Sequence, residues 1–439
     1  MKRETFGSRL GFILVSAGCA VGIGNVWKFP YMCGQFGGAA FILIYLVFLL
    51  IMGIPVMVCE FGVGRASRHS VAAAYETLEP KETKWHITKW IGVIGCYFLM
   101  MFYTTVGGWM LYYCVRSFRG DFVGADMKTV SAGFSDMLGN MPLMAFWTIL
   151  ICIIGFGVCA FESRRYRKSF QVHDDSTALI MIVLAIHSVM MKGAGAGIRF
   201  YLIPDFKQMA EIGIGNVIFG AMSQAFFTLS IGIGAMLIFG SYMEKDQRLF
   251  GEAVNITVLD TIVALMAGFI IIPACFAYGI EPGAGPSLIF ITIPNIFAQV
   301  AGGCVWGGLF FLFLSFAAFT TLVAVFENII SFDIDLFGWS RKKSTLVSLI
   351  LIIILSMPCV MGFNVLAGFT PLGEGSTIMD LEDFIVSNNL LPLGSLGYVL
   401  FCTKKNDGDG TASLKKSIKE KDGSSRQESR VICLTDCRS

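Results

Sequence analysis

One carboxylate stands in the middle of a long apolar stretch: Asp260, preceded by VNITVL and followed by TIVALMAGFIIIPACF. Ionised within hydrocarbon, such a group costs several kcal/mol and marks an ion or proton path, a salt bridge or a protonated structural acid being the alternatives. Two apolar runs also carry glycine pairs at mid-depth, Gly22 with Gly24 and Gly232 with Gly234. Glycine inside a helix is about 1 kcal/mol worse than alanine, so pairs at matching depth suggest unwinding. Unwound backbone is tolerated in hydrocarbon only where its amides and carbonyls line a cavity and bind something. Close helix packing through small residues is the other reading of the same glycines. Glu60, embedded near the end of a third apolar run, is read as structural, bonding backbone groups of the unwound region. Enzyme chemistry has little support. GIGNVW and the glycines from Gly193 to Gly197 do not follow a strand, and no GK[ST] is present, as a phosphate loop requires. His69, His86, His173 and His187 show no metal or triad spacing, and no paired catalytic set sits at one depth.

The elements that must position these groups are membrane helices. Of 439 residues, 55% are apolar and 15% charged, against about a quarter charged in soluble domains. The apolar residues come in blocks of about twenty, enough to cross roughly 30 Å of hydrocarbon. The thirteen cysteines are scattered without metal spacing and read as small packing residues. A net charge of +2 without a basic patch argues against a nucleic-acid partner. No cleavable signal peptide is expected, because the first apolar segment runs on to Pro30 without a cleavage site. Ten spans are expected, over 8–30, 38–64, 88–115, 142–161, 175–191, 213–243, 252–279, 302–332, 345–362 and 381–402. Lys2, Arg3 and Arg9 precede the first span, and alternate loops carry Arg65, Arg68, Lys81 and Lys84, then Lys245 and Arg248, then Arg341, Lys342 and Lys343. Both termini are therefore expected in the cytoplasm, with an even number of crossings. If the ten spans are two groups of five, the glycine pairs fall in the first member of each.

Six segments then carry a resemblance: RLGFILVSAGCAVGIGNVWKFPY from Arg9, FGGAAFILIYL from Phe36, GIPVMVCEFGVGR from Gly53, FFTLSIGIG from Phe226, SYMEKDQ from Ser241 and FGWSRKK from Phe337. Together they resemble the neurotransmitter:sodium symporter family, in its bacterial amino-acid branch, over about residues 3 to 406. The resemblance implies an all-α polytopic bundle of the LeuT-like five-plus-five inverted-repeat type, with broken first and sixth helices. The transporter unit would be 1–402, its repeats about 8–191 and 213–402. It implies sodium-coupled symport of an amino acid by alternating access. A first sodium site would use Ala20, Asn25, Thr228 and Asp260, and a second Gly18, Val21, Ala317, Thr320 and Thr321; such hard cations take oxygen ligands. Taken alone, Thr320 and Thr321 would be read as bonding back into their own helix. The substrate pocket would comprise Gly22, Ile23, Gly24, Tyr103, Phe227, Ser230 and Ile233. Monoamine-transporting relatives place an aspartate where Gly22 stands, so Gly22 argues for a whole amino acid. The neighbouring aromatic and aliphatic residues argue for an apolar or aromatic side chain. Lys28 with Asp383 would gate the outer side, and Arg3 with Asp335 the inner. Asp260 would supply the charge that chloride supplies in some relatives, so no chloride requirement is expected.

Two segments depart from the family. At 162–177, ESRRYRKSFQVHDDST stands where a membrane-entry helix is expected, and after Asn406 the chain is polar where the family continues into an eleventh span. Codons for DGDGT, shifted by one base, permit Gly-Trp-Gly-Trp-Asp, so reading-frame errors are expected in both 162–177 and the 403–439 tail, to be decided by resequencing. A basic cytoplasmic loop and a solvated tail are the alternatives. Two other functional readings remain open: a transport-inactive or regulatory membrane protein, and a proton-coupled relative with Asp260 as carrier. The amino acid, the ion stoichiometry and the oligomeric state are not legible.

Overall fold

The computed structural model describes residues 22–160, 181–243, 247–283, 285, 288–299 and 302–403. The expected roles of Arg3, Gly18, Ala20 and Val21, the 162–177 segment and the tail beyond Thr403 lie outside these residues. The described chain is helical, with no strand among the described residues. Hydrocarbon dictates this, since a helix satisfies its backbone hydrogen bonds within one segment.

We number the crossing elements α1 to α10. They are α1 (24–35), α2 (Ala39–Ser67), α3 (Trp85–Arg119), α4 (Met141–Ala160), α5 (Met181–Met190), α6a (Ile214–Thr228) with α6b (Ala235–Tyr242), α7 (Leu249–Tyr278), α8 (Gly303–Phe337), α9 (Arg341–Met361) and α10 (Ile378–Thr403). Seven of these are unbroken helices long and apolar enough to cross a membrane. The described part of α5 is followed by the helix Ala194–Leu202, at a bend of 115°. Each expected span thus has a described counterpart, with ends displaced by a few residues. Five shorter helices lie where the sequence reading placed only loops or span ends: Val71–Leu78, Met127–Gly139, Ala194–Leu202, Phe206–Ile212 and Leu288–Ala298. None reaches the roughly twenty residues by which a crossing is recognised.

α3 and α8 form the central pair, joined by aromatic stacking such as Tyr113 on Phe311, 5.3 Å between ring centres. α3 stops at Gly120, whose φ of 80° lets the chain turn back while Asp121 N donates to Arg116 O at 3.1 Å, the left-handed helix ending glycine permits. α6b lies so close on α2 that a Cβ at Gly240 would come within 2.6 Å of the Phe61 carbonyl oxygen. The outward faces keep large apolar side chains, Leu50 and Ile51 on α2 and Ile350 and Ile354 on α9 among them. On a soluble protein such a surface would be a liability; facing lipid it is matched to its solvent.

Candidate functional site

The break expected in the sixth span is present. Between α6a and α6b the chain leaves the helix over 229–234, with Ser230 at φ 52°, Gly232 at 97° and Gly234 at 81°. The two glycines take the left-handed region without strain, whereas Ser230 does so as a non-glycine residue. Glu60 of α2 holds the break open, accepting from the amide of Gly232 and, at 3.3 Å, from that of Leu237. This is the structural role read from its embedded position. Glu60→Gln should therefore turn one acceptor into a donor facing an amide and destabilise the fold by about 1–3 kcal/mol. Thermal unfolding of the purified variant against the parent checks this, and an unchanged midpoint would rule out Glu60 as the clamp.

α1 faces the break. Its described part begins at Gly22, whose carbonyl accepts from the amides of Asn25 (3.1 Å) and Val26 (3.3 Å). Gly24–Lys28 forms a π-helical turn before the α-helix Phe29–Gln35, and Gln224 of α6a donates to the Gly24 carbonyl at 2.9 Å. Asn25 ties α1 to α7. Its Oδ1 accepts from Gly22 N at 3.1 Å, and its Nδ2 donates to the carbonyl (3.0 Å) and the carboxylate (2.7 Å) of Asp260 on α7. Thr228, the last residue of α6a, donates to the other Asp260 oxygen at 2.9 Å. Asp260 is fully buried, and among the described residues no Lys or Arg pairs with it. A buried carboxylate with only neutral partners and converging oxygens is a ligand set suited to a hard cation.

Beside it lies a narrow cavity lined by Gly22, Gly24, Leu99, Tyr103, Phe227, Ser230, Ile233, Thr321 and Leu391, with free space of only about one water in this conformation. The Tyr103 hydroxyl accepts from Ile23 N at 3.1 Å. On α8, the hydroxyls of Thr320 (2.9 Å) and Thr321 (3.5 Å) both donate to the Ala317 carbonyl. This is the bonding back into the helix that the two residues would show alone, and it also brings three oxygens of the expected second site together. Their expected partners Gly18 and Val21 are outside the described residues.

Above the cavity, Lys28 pairs with Asp383 of α10 and donates to Ser387 Oγ at 2.7 Å, while Ser387 donates to Asp383 at 2.7 Å. The Lys28 ammonium also sits 4.0 Å from the centre of the Phe227 ring. At the opposite end, Asp335 accepts from the amide (2.9 Å) and hydroxyl (2.6 Å) of Ser70, with His69 Nδ1 at 3.9 Å.

The profile of the sodium:neurotransmitter symporter family matches residues 3–132 and 121–372. The chain belongs to that family. The symporter is 33% identical to the sodium-dependent transporter YhdH of Bacillus subtilis over 92% of its own length and 88% of the relative's. It is 31% identical to a sodium-dependent transporter of Methanocaldococcus jannaschii, over 93% and 83%. Among solved structures, MhsT in complex with L-phenylalanine is 33% identical, with a TM-score of 0.87 and 99% of each chain covered. The symporter therefore has the LeuT-like fold, is a sodium-dependent membrane transporter and is not an enzyme.

Three participants escaped the sequence reading. Leu99 precedes Tyr103 by one helical turn on the same face of α3, a signal that was available. Leu391 starts the final α-helical stretch of α10, after a π-helical turn, and nothing local marks it. Ser387 lies one turn beyond Asp383, within reach of the same lysine.

Proposed function

We propose that this symporter carries an amino acid with an apolar or aromatic side chain into the cell, driven by sodium, without a chloride requirement. The supporting observation is the juxtaposition of two chemistries in one cavity. At one end are the α1 backbone at Gly22 and Gly24 and the Tyr103 hydroxyl, with the uncompensated Asp260 behind them, bonded to Asn25. The apolar wall is Leu99, Phe227, Ile233 and Leu391, joined by Ser230 and Thr321. A substrate carboxylate placed at Gly22 would complete the shell of an ion held by Asn25, Thr228 and Asp260, so that ion and solute bind as a unit. Ala20 would add a carbonyl to this first ion. Gly18, Val21, Ala317, Thr320 and Thr321 would hold the second, Lys28 with Asp383 would close the outer side, and Arg3 with Asp335 the inner. The transporter unit is 1–402, two inverted repeats of about 8–191 and 213–402, in a bacterial inner membrane with the N-terminus in the cytoplasm, as the basic loops require.

Binding to the folded state raises the unfolding temperature. A thermal-shift screen of twenty amino acids is expected to show stabilisation by large apolar or aromatic ones in sodium and none in potassium. Uptake of the best ligand into proteoliposomes, with sodium replaced by potassium outside, tests the transport itself. Sodium-independent uptake would favour the proton-coupled reading, and binding without uptake the regulatory one.

A further inference from the structure

Around the cytoplasmic side of the α6 break, four buried polar atoms lack a full set of protein partners: the facing hydroxyls of Tyr75 and Tyr398, which have only each other, the hydroxyl of Ser395, and Asn328 Oδ1. Their residues are 0–2% exposed and come from three elements: the helix Val71–Leu78, α10 (two of the four) and α8. The Tyr75 and Tyr398 rings stack at 5.6 Å. The Tyr398 hydroxyl abuts Gly234, so that a Cβ there would lie 3.1 Å from it. Ser395 is one turn before Tyr398 and follows Gly394, which packs directly on Gly232. Asn328 donates to Cys96 Sγ at 3.5 Å, and Cys96 in turn donates to the Ile233 carbonyl at 3.6 Å. The orphaned atoms thus gather around 232–234. Glu60, the nearby carboxylate, already bonds the amides of Gly232 and Leu237.

A buried hydroxyl or amide oxygen short of a partner is unfavourable, and several together are not sustained by packing alone. Ordered water, making two to four hydrogen bonds at each site, is the usual remedy. Mixed donors and acceptors with no uncommitted carboxylate suit water better than a resident cation. We propose that these residues form a water-holding chamber under the α6 break, and that its waters are the first to rehydrate sodium on its way to the cytoplasm. The second half rests on the transport reading; the first does not.

Radiolytic hydroxyl-radical footprinting of the intact protein, read by mass spectrometry, tests the chamber directly. Water-adjacent side chains are labelled even when buried, so Tyr75 and Tyr398 should be modified at rates comparable to exposed tyrosines. Labelling at the background of buried Tyr201, whose hydroxyl is satisfied by the Leu265 carbonyl at 2.9 Å, would overturn the chamber. Tyr75→Phe/Tyr398→Phe keeps the ring shapes. The double variant should keep sodium-dependent ligand binding in the thermal-shift assay while its maximal uptake rate falls roughly fivefold, as a release-limited cycle would show. Unchanged uptake would remove the chamber from the release path. If the parent protein transports none of the amino acids tested, the transport reading fails while footprinting still decides the chamber.

Discussion

Gly22→Asp is expected to abolish the sodium-driven amino-acid uptake proposed above. A Cβ at this position would come within 2.5 Å of the Tyr103 hydroxyl and 2.6 Å of Thr321 Oγ1, so even a methyl group displaces the pocket's polar wall. The carboxylate adds a fixed negative charge where the substrate's own carboxylate would bind, and like charges brought together in a desolvated site repel by several kcal/mol. Gly22→Ala separates the two effects. The alanine variant is expected to retain measurable uptake with a raised KM, whereas the aspartate variant retains none and instead binds amines that lack a carboxylate. Parental uptake in the aspartate variant would move the substrate site elsewhere.

Asp260→Asn has the next largest effect. Two unit charges 4 Å apart interact by about 4 kcal/mol at an effective dielectric of 20. Losing even a third of that weakens sodium at least about tenfold. The amide keeps the size of the side chain and a hydrogen bond to Asn25 or Thr228, so the loss is of charge more than of packing. With the resident negative charge gone, an added anion becomes useful, and chloride is expected to restore part of the sodium affinity. Sodium titrations of ligand binding, in chloride and in gluconate, read both effects. A parental sodium curve in both salts would exclude Asp260 from the ion site.

The sequence was most informative where hydrocarbon made a residue expensive. Asp260, Glu60 and the Gly232–Gly234 pair stand out without any relative, because each violates what a buried membrane helix tolerates, and each is found at the break or bonded to it. Tyr103 and Phe227 were legible only through the family motifs, since an aromatic on an apolar helix is ordinarily packing. Leu391 was legible by neither route: it reaches the cavity because the π-helical turn Val386–Leu390 shifts the face of α10, and π-turns have no sharp local signature. The short helices between spans escaped for a different reason. Their form is decided by docking onto the bundle, and lengths of seven to thirteen residues carry too few periods to announce themselves.

Lys28 touches the Phe227 ring on one side and Asp383 with Ser387 on the other, so, on the proposal that this ion pair closes the outer side, the lid and the wall of the cavity share one side chain. A ligand that fixes the Phe227 ring thereby favours the lysine position that completes the lid. Reciprocity then requires the completed lid to favour the ligand by the same factor. Good and poor ligands of this protein should therefore differ chiefly in how long they stay, with similar rates of arrival. Selectivity becomes a property of residence time, exercised after entry by a latch that the cargo itself sets.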